Sequence, residues 1–191
     1  MPYAAGAGLN TQKLCLEGTH RGILGDIMDW INNGDEDTHV YWLHGTAGSG
    51  KSTIAHTIAD LFRRLGRLGS FFSFDRNDAA ERHKKIFTTI AQDLANCDPQ
   101  LRKALATVIH HNTPLRNTSD ILQQWEEFIV KPAKAMSEAM AGPIVIVINA
   151  LDESGVVESR CHLLQILTGK GASADGNISS LPPHFRIVLT S

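Results

Sequence analysis

The sequence carries no excess of charge of either sign. Eighteen lysines and arginines stand against twenty aspartates and glutamates over 191 residues, a formal net charge of −2. That balance leaves no basic footprint for nucleic acid or for an anionic membrane, and neither partner is expected. Long apolar runs are missing as well: the longest, Ile144 to Ile148, is far too short to cross a bilayer. The first ten residues, MPYAAGAGLN, have neither a basic n-region nor an apolar h-region, so no signal peptide is expected and the reading is cytoplasmic. Cysteine is scarce. Cys15, Cys97 and Cys161 are odd in number and widely spaced, which excludes a disulfide framework and fits buried thiols in a reducing compartment. His110-His111 and Cys161-His162 are adjacent pairs without the spacing of metal ligands, and they read as structural or exposed. Two glycosylation-like triplets, Asn117-Thr118-Ser119 and Asn177-Ile178-Ser179, are coincidental without a secretory signal. No internal repeat or long low-complexity stretch is visible.

What is present is an alternation of strands and helices. Hydrophobic content of 42% and charged content of 20% are those of a globular domain with a substantial core. Ile23, Leu24, Ile27, Met28, Trp30 and Ile31 recur with helical period after Thr19 as N-cap, and the acidic turn NNGDED ends that helix. HVYWLHG predicts a first strand. STIAHTIADLFRRLG predicts a helix with Ile54, Ile58, Leu61, Phe62 and Leu65 on one face, and GSFFSF a second strand. Residues 75–141 read as a helical block with three stripes. Ile86, Phe87, Ile90, Ala91 and Leu94 form the first. Leu101, Ala104, Leu105, Val108 and Ile109 form the second, after Asp98-Pro99; Ile121, Leu122, Trp125, Phe128 and Ile129 form the third, after Ser119. PIVIVIN, near-continuously apolar, predicts a third strand buried on both faces. A helix around Glu158 to Thr168, a glycine-rich loop and the strand FRIVLTS complete the chain. The pattern predicts an α/β domain with a mainly parallel sheet.

One stretch carries chemistry. GTAGSGKS, residues 45–52, fits G-x-x-x-x-G-K-[ST] between a strand and a helix. Average residue usage gives the bare pattern by chance in roughly one chain per hundred of this length, and the strand–loop–helix context lowers that further. Glycines let successive N–H groups turn inward around phosphate oxygens, and the following helix aims its positive end at the same point. The phosphate site so predicted comprises Gly45, Thr46, Ala47, Gly48, Ser49, Gly50, Lys51, Ser52 and Thr53. Lys51 reaches the β- and γ-phosphates and the Ser52 hydroxyl ligates Mg²⁺; Thr53 either caps the phosphates or packs. Arg76, after the second strand, is either a phosphate contact or a solvated arginine.

With VIVINALDES, residues 145–154, the phosphate loop resembles the NACHT class of signal-transducing P-loop NTPases. Their Walker B pattern is apolar residues, Asp, a small residue, an apolar residue, then Asp-Glu. Asn149-Ala150-Leu151-Asp152-Glu153 matches at four of those five positions, with Asn149 where the family places the metal-holding acid. CLEGTHRGILGDIMDWI, SFFSFDR with KIFTTIAQDLA, and FRIVLTS are similar to segments of fungal NACHT proteins and of the related nephrocystin-3-like N-terminal domain. In the first of these, Thr19 and His20 fall where that family has Gly-Thr-Arg beside the base, with His20 in place of the arginine.

The resemblance implies a three-layer α/β/α P-loop NTPase, with residues 1–37 as an N-terminal segment and helix and residues 38–191 as the core. The family's last strand runs on into an arginine after Thr-Ser, so the expectation is a core truncated after its fourth strand, prone to self-association, whose protein partners come through flanking domains. The implied activity is a regulatory domain that binds ATP or GTP with Mg²⁺ held by Ser52 and Asn149, and Asp152 and Glu153 as catalytic acids. Fungal origin and a role in non-self recognition or programmed cell death follow from the resemblance alone. Asn149 weakens hydrolysis in this reading. A nucleotide-stabilised interaction module that does not hydrolyse is the alternative, and a small-molecule P-loop kinase a second one.

Overall fold

Strands form where β-branched and aromatic residues run together. Val40–Leu43 is β1, Leu68–Ser73 β2, Ile144–Asn149 β3 and Phe185–Thr190 β4, and every pairing among them is parallel. The order is β1-β4-β3-β2. The computed structural model describes residues 1–33, 38–135, 142–169 and 181–191. Most of the acidic turn, the last residues of the helical block, the second glycine-rich loop and the Asn177 triplet lie outside them.

Helices cover both faces, as an all-parallel sheet requires. Along β3 the side chains alternate. Val145 and Val147 join Phe71 and Val188 under α1 (Arg21–Asn33) and α2 (Lys51–Arg64), where Ile27, Ile31, Ile54, Ile58 and Phe62 close the core. Ile144, Ile146 and Ile148 point the other way with Phe72, Ile187 and Leu189. That side is covered by α3 (Ala79–Cys97), α4 (Pro99–His111), α5 (Ile121–Gln124) and α7 (Val157–Thr168). α5 continues through a π-helical turn, Trp125–Val130, into α6 (Lys131–Ala133). Pro132, which has no N–H and crowds the carbonyl four residues back, sits just past that widened turn.

The expected stripes face the core except at Leu65, which falls past the end of α2 and is 56% exposed, and two caps differ. Asp120, not Ser119, caps α5, accepting from the N–H groups of Leu122 and Gln123. Thr19 does not cap α1: its hydroxyl donates to the Leu16 carbonyl, and the first helical bond runs from Leu24 to His20, held at φ +56°. Asp98 caps α4 as expected. Gly69 marks a close approach, since a Cβ there would lie 2.6 Å from Leu94 Cδ2 and 2.7 Å from Ile144 Cγ2. The β2–β3 register shifts between Leu68 and Ser70, around that glycine.

Residues 1–17 do not stand apart from the core. Pro2 and Ala4 bond to α3 through Gln92 and Thr89, Ala7 accepts the outward N–H of Ser73, and Asn10 and Cys15 bond to His56 and Thr57 of α2. The segment is a strap running from one helical layer to the other across the β2 edge.

Candidate functional site

The C-terminal ends of β1, β3 and β2 and the start of α2 meet at one edge of the sheet, where parallel α/β domains place their ligands. From β1 the chain enters the loop 45–50, exposed from Gly45 to Ser49. Gly48 and Gly50 take φ +81° and +84°. Gly50 is the N-cap of α2 and brings no side chain to cap it, so no cap side chain occupies the donors of the first turn. Lys51 bends back over the loop, its Nζ donating to the carbonyls of Gly45 (2.7 Å) and Thr46 (2.9 Å). That posture keeps a cation beside the turn, inside which the Ser49 N–H donates to the Thr46 carbonyl at 3.3 Å. Ser52 is exposed and Thr53 half-buried, its carbonyl taken by Thr57.

Facing this loop, the ends of three strands are joined by one chain of hydrogen bonds. Thr190 Oγ1 accepts the N–H of Ala150 (3.0 Å), so its own proton goes to Asn149 Oδ1 (2.8 Å). Asn149 Nδ2 then donates to Ser73 Oγ (3.0 Å), and Ser73 Oγ passes a proton to the Phe74 carbonyl (3.2 Å). Each donor meets an acceptor, which fixes the amide's orientation and satisfies a side chain only 3% exposed. Ala150, at φ +59°, turns the chain out of the strand directly afterwards.

Between Ser52 and Asn149 opens a polar cleft of about 300 Å³. Glu153 lines it and accepts the Arg76 backbone N–H at 3.2 Å. Asp152, expected beside it, lines a different, apolar pocket with Trp42, Leu151 and Val157. The 3-10 turn Leu151–Glu153 thus sends its two acids to opposite sides. The Arg76 side chain is exposed. A different arginine reaches the cleft: Arg82, nearly buried, donates to the Ser73 carbonyl and stands 3.6 Å from Asp78 and 4.0 Å from Asp75.

The strap supplies the far wall through Gly6, Gly8, Asn10 and Lys13. Beside it, one turn after Ser52, His56 is 3% exposed, stacks on Phe71 at 4.5 Å and accepts the Asn10 N–H at Nδ1. Burial, then the Lys13 charge, lowers its pKa to about 4, so the ring is neutral near pH 7.

Sequence reasoning missed Ser73, Thr190, Arg82, His56 and Lys13. Ser73 and Thr190 carried a signal, since each is the hydroxyl residue ending a strand of the sheet. Arg82 and Lys13 carried none, because their place depends on how the strap crosses β2.

As a metal site the donor set is thin. Ser52 offers a hydroxyl, Asn149 a neutral amide already bonded on both atoms, and among the described residues no three His, Cys, Asp or Glu side chains converge to hold an ion. A Mg²⁺ carried by a nucleotide would find the Ser52 hydroxyl and the Asn149 amide oxygen here, a weaker donor set than an acid at position 149 would give.

Comparison with curated proteins and with solved structures returned no match. A family model, that of the N-terminal domain of nephrocystin 3, matches residues 18–191, all of the chain but the strap. The α/β fold, the parallel sheet and this match agree, and the chain belongs to the nephrocystin 3 N-terminal domain family.

Proposed function

We propose that the chain is a nucleotide-binding regulatory domain of the NACHT-type P-loop NTPase class, with ATP or GTP held by residues 45–53. The observation that carries this reading is the uncapped start of α2. Gly50 leaves the first-turn donors without a side-chain cap, two glycines hold the preceding turn open, and Lys51 lies across it. Helix dipole, backbone donors and a mobile cation converge where a β- and γ-phosphate pair would be recognised.

Asn149 favours a binder over an efficient hydrolase. It holds β2, β3 and β4 in register and brings no negative charge to the cleft. An acid about 4 Å from a dication is worth several kcal/mol gross at an effective dielectric of ~20, much of it offset by desolvation. Of the two neighbouring acids, Glu153 lines the cleft and could orient a water there, while Asp152 lines the other pocket. The nucleotide-stabilised, non-hydrolysing module is therefore the second reading, resting on that neutral amide.

Isothermal titration with ATP of the wild type and of Lys51→Ala tests the assignment. The variant loses the cation over the loop, and its affinity should fall at least tenfold, about 1.4 kcal/mol. Equal affinities would remove the phosphate site from this loop.

A further inference from the structure

Resting on the nucleotide reading above, we propose that Lys13 of the strap supplies to the terminal phosphate of a nucleoside triphosphate the positive charge that a metal ion held by an acid at position 149 would bring. The site then takes the nucleotide without a divalent cation.

Three observations carry this. The position that would hold a metal through a carboxylate is an amide whose oxygen is engaged by Thr190 and whose nitrogen is engaged by Ser73. The acids lining the cleft have other work: Glu153 holds the Arg76 N–H, while Asp75 accepts the Asn77 N–H and stands near Arg82. Lys13 lines the same cleft as Ser52 and Asn149, is exposed, and makes no ion pair with a carboxylate among the described residues.

An ammonium without an ion-pair partner, on a flexible four-carbon stem in the cleft that Ser52 also lines, is a point charge free to move onto an anion. Its field already reaches inward, since it is one cause of the lowered His56 pKa. The strap that carries it is anchored at Ala7, Asn10 and Cys15, so Lys13 is held at the cleft rather than on a free tail. It also lies outside residues 18–191, which the family model matches.

The test is titration of the full chain with ATP and with ADP, once in EDTA and once in excess Mg²⁺, for the wild type, Lys13→Ala and Lys13→Arg. Wild type should bind ATP in EDTA within about threefold of its affinity in Mg²⁺. Lys13→Ala should lose roughly tenfold for ATP in EDTA and less than about twofold for ADP, and Lys13→Arg should recover most of the loss. Melting curves of the variants should match the wild type, because the Lys13 side chain is solvent-facing. Wild-type binding that requires Mg²⁺, or Lys13→Ala binding ATP in EDTA as tightly as wild type, overturns the role of Lys13 and leaves the nucleotide reading standing. Absence of ATP binding in both buffers overturns the reading beneath it, and the proposal with it.

Discussion

At Gly50 two constraints meet in one residue. Its φ of +84° belongs to the left-handed region, and a Cβ there would stand 2.7 Å from His20 Nε2. The ring is the far end of an exposed side chain and can swing aside; the backbone angle cannot be relieved so cheaply. Gly50→Ala should therefore lower stability by about 1–2 kcal/mol, a melting shift of a few degrees in a domain of this size. Most of that loss should persist in a His20→Ala background, measured by differential scanning fluorimetry. If His20→Ala removes the whole loss, the clash and not the left-handed turn dictates glycine. The eight-residue loop pattern was legible in the sequence because its glycines and lysine have fixed chemical jobs. The partners of Asn149 were not, because which hydroxyls lie opposite depends on register: Ser73 pairs with Asn149 across β2 and β3.

Among the elements, the parallel strands and the stripes of α2, α3 and α4 could be read from periodicity, and they are where expected apart from Leu65, which ends up exposed beyond α2. The strap could not. Most of its hydrogen bonds use backbone groups, and its side-chain contacts (Tyr3 to Asp93, Met1 and Leu9 against the cores, Ala4 and Ala7 buried) follow no helical or strand period, so no pattern announces it. Caps were read one residue away where hydroxyl and carboxylate residues compete, as at Ser119 and Asp120. The strap's contact with His56 has a pH signature. The folded pKa of about 4 lies below the unfolded value near 6.5. The neutral ring's contribution is thus fully present above pH 6.5 and is lost as pH falls toward 4, a change on the order of 3 kcal/mol. His83, also lowered by burial, titrates in the same direction. His56→Gln keeps an acceptor for Asn10 and does not titrate. Urea unfolding at pH 7 and at pH 4.5 should show wild type losing more stability than His56→Gln, and equal losses would mean that His56 is not the group being charged.

Across the whole molecule the two sheet edges differ. On β2, Ser73's outward N–H goes to Ala7 and its carbonyl to Arg82. On β1, the carbonyls of His39 and Leu43 bond inward to β4, which turns the backbone of Val40 and Trp42 outward. No hydrogen bond covers those outward groups among the described residues, and Trp42 is 49% exposed beside them. A strand with one uncovered edge and an exposed aromatic beside it favours pairing with another copy. Light scattering at high concentration should show self-association that Trp42→Lys reduces; a monodisperse wild-type monomer would contradict this.

The central claim, that the loop before α2 is a phosphate cradle, has one most direct test. Backbone amide resonances recorded during titration with ATP should move most for Gly48 to Thr53, the turn and first-turn donors aimed at the site. Residues of the Asp152 pocket such as Val157 and Cys161 should stay still. Shifts concentrated away from 45–53, or none at saturating nucleotide, would contradict the account.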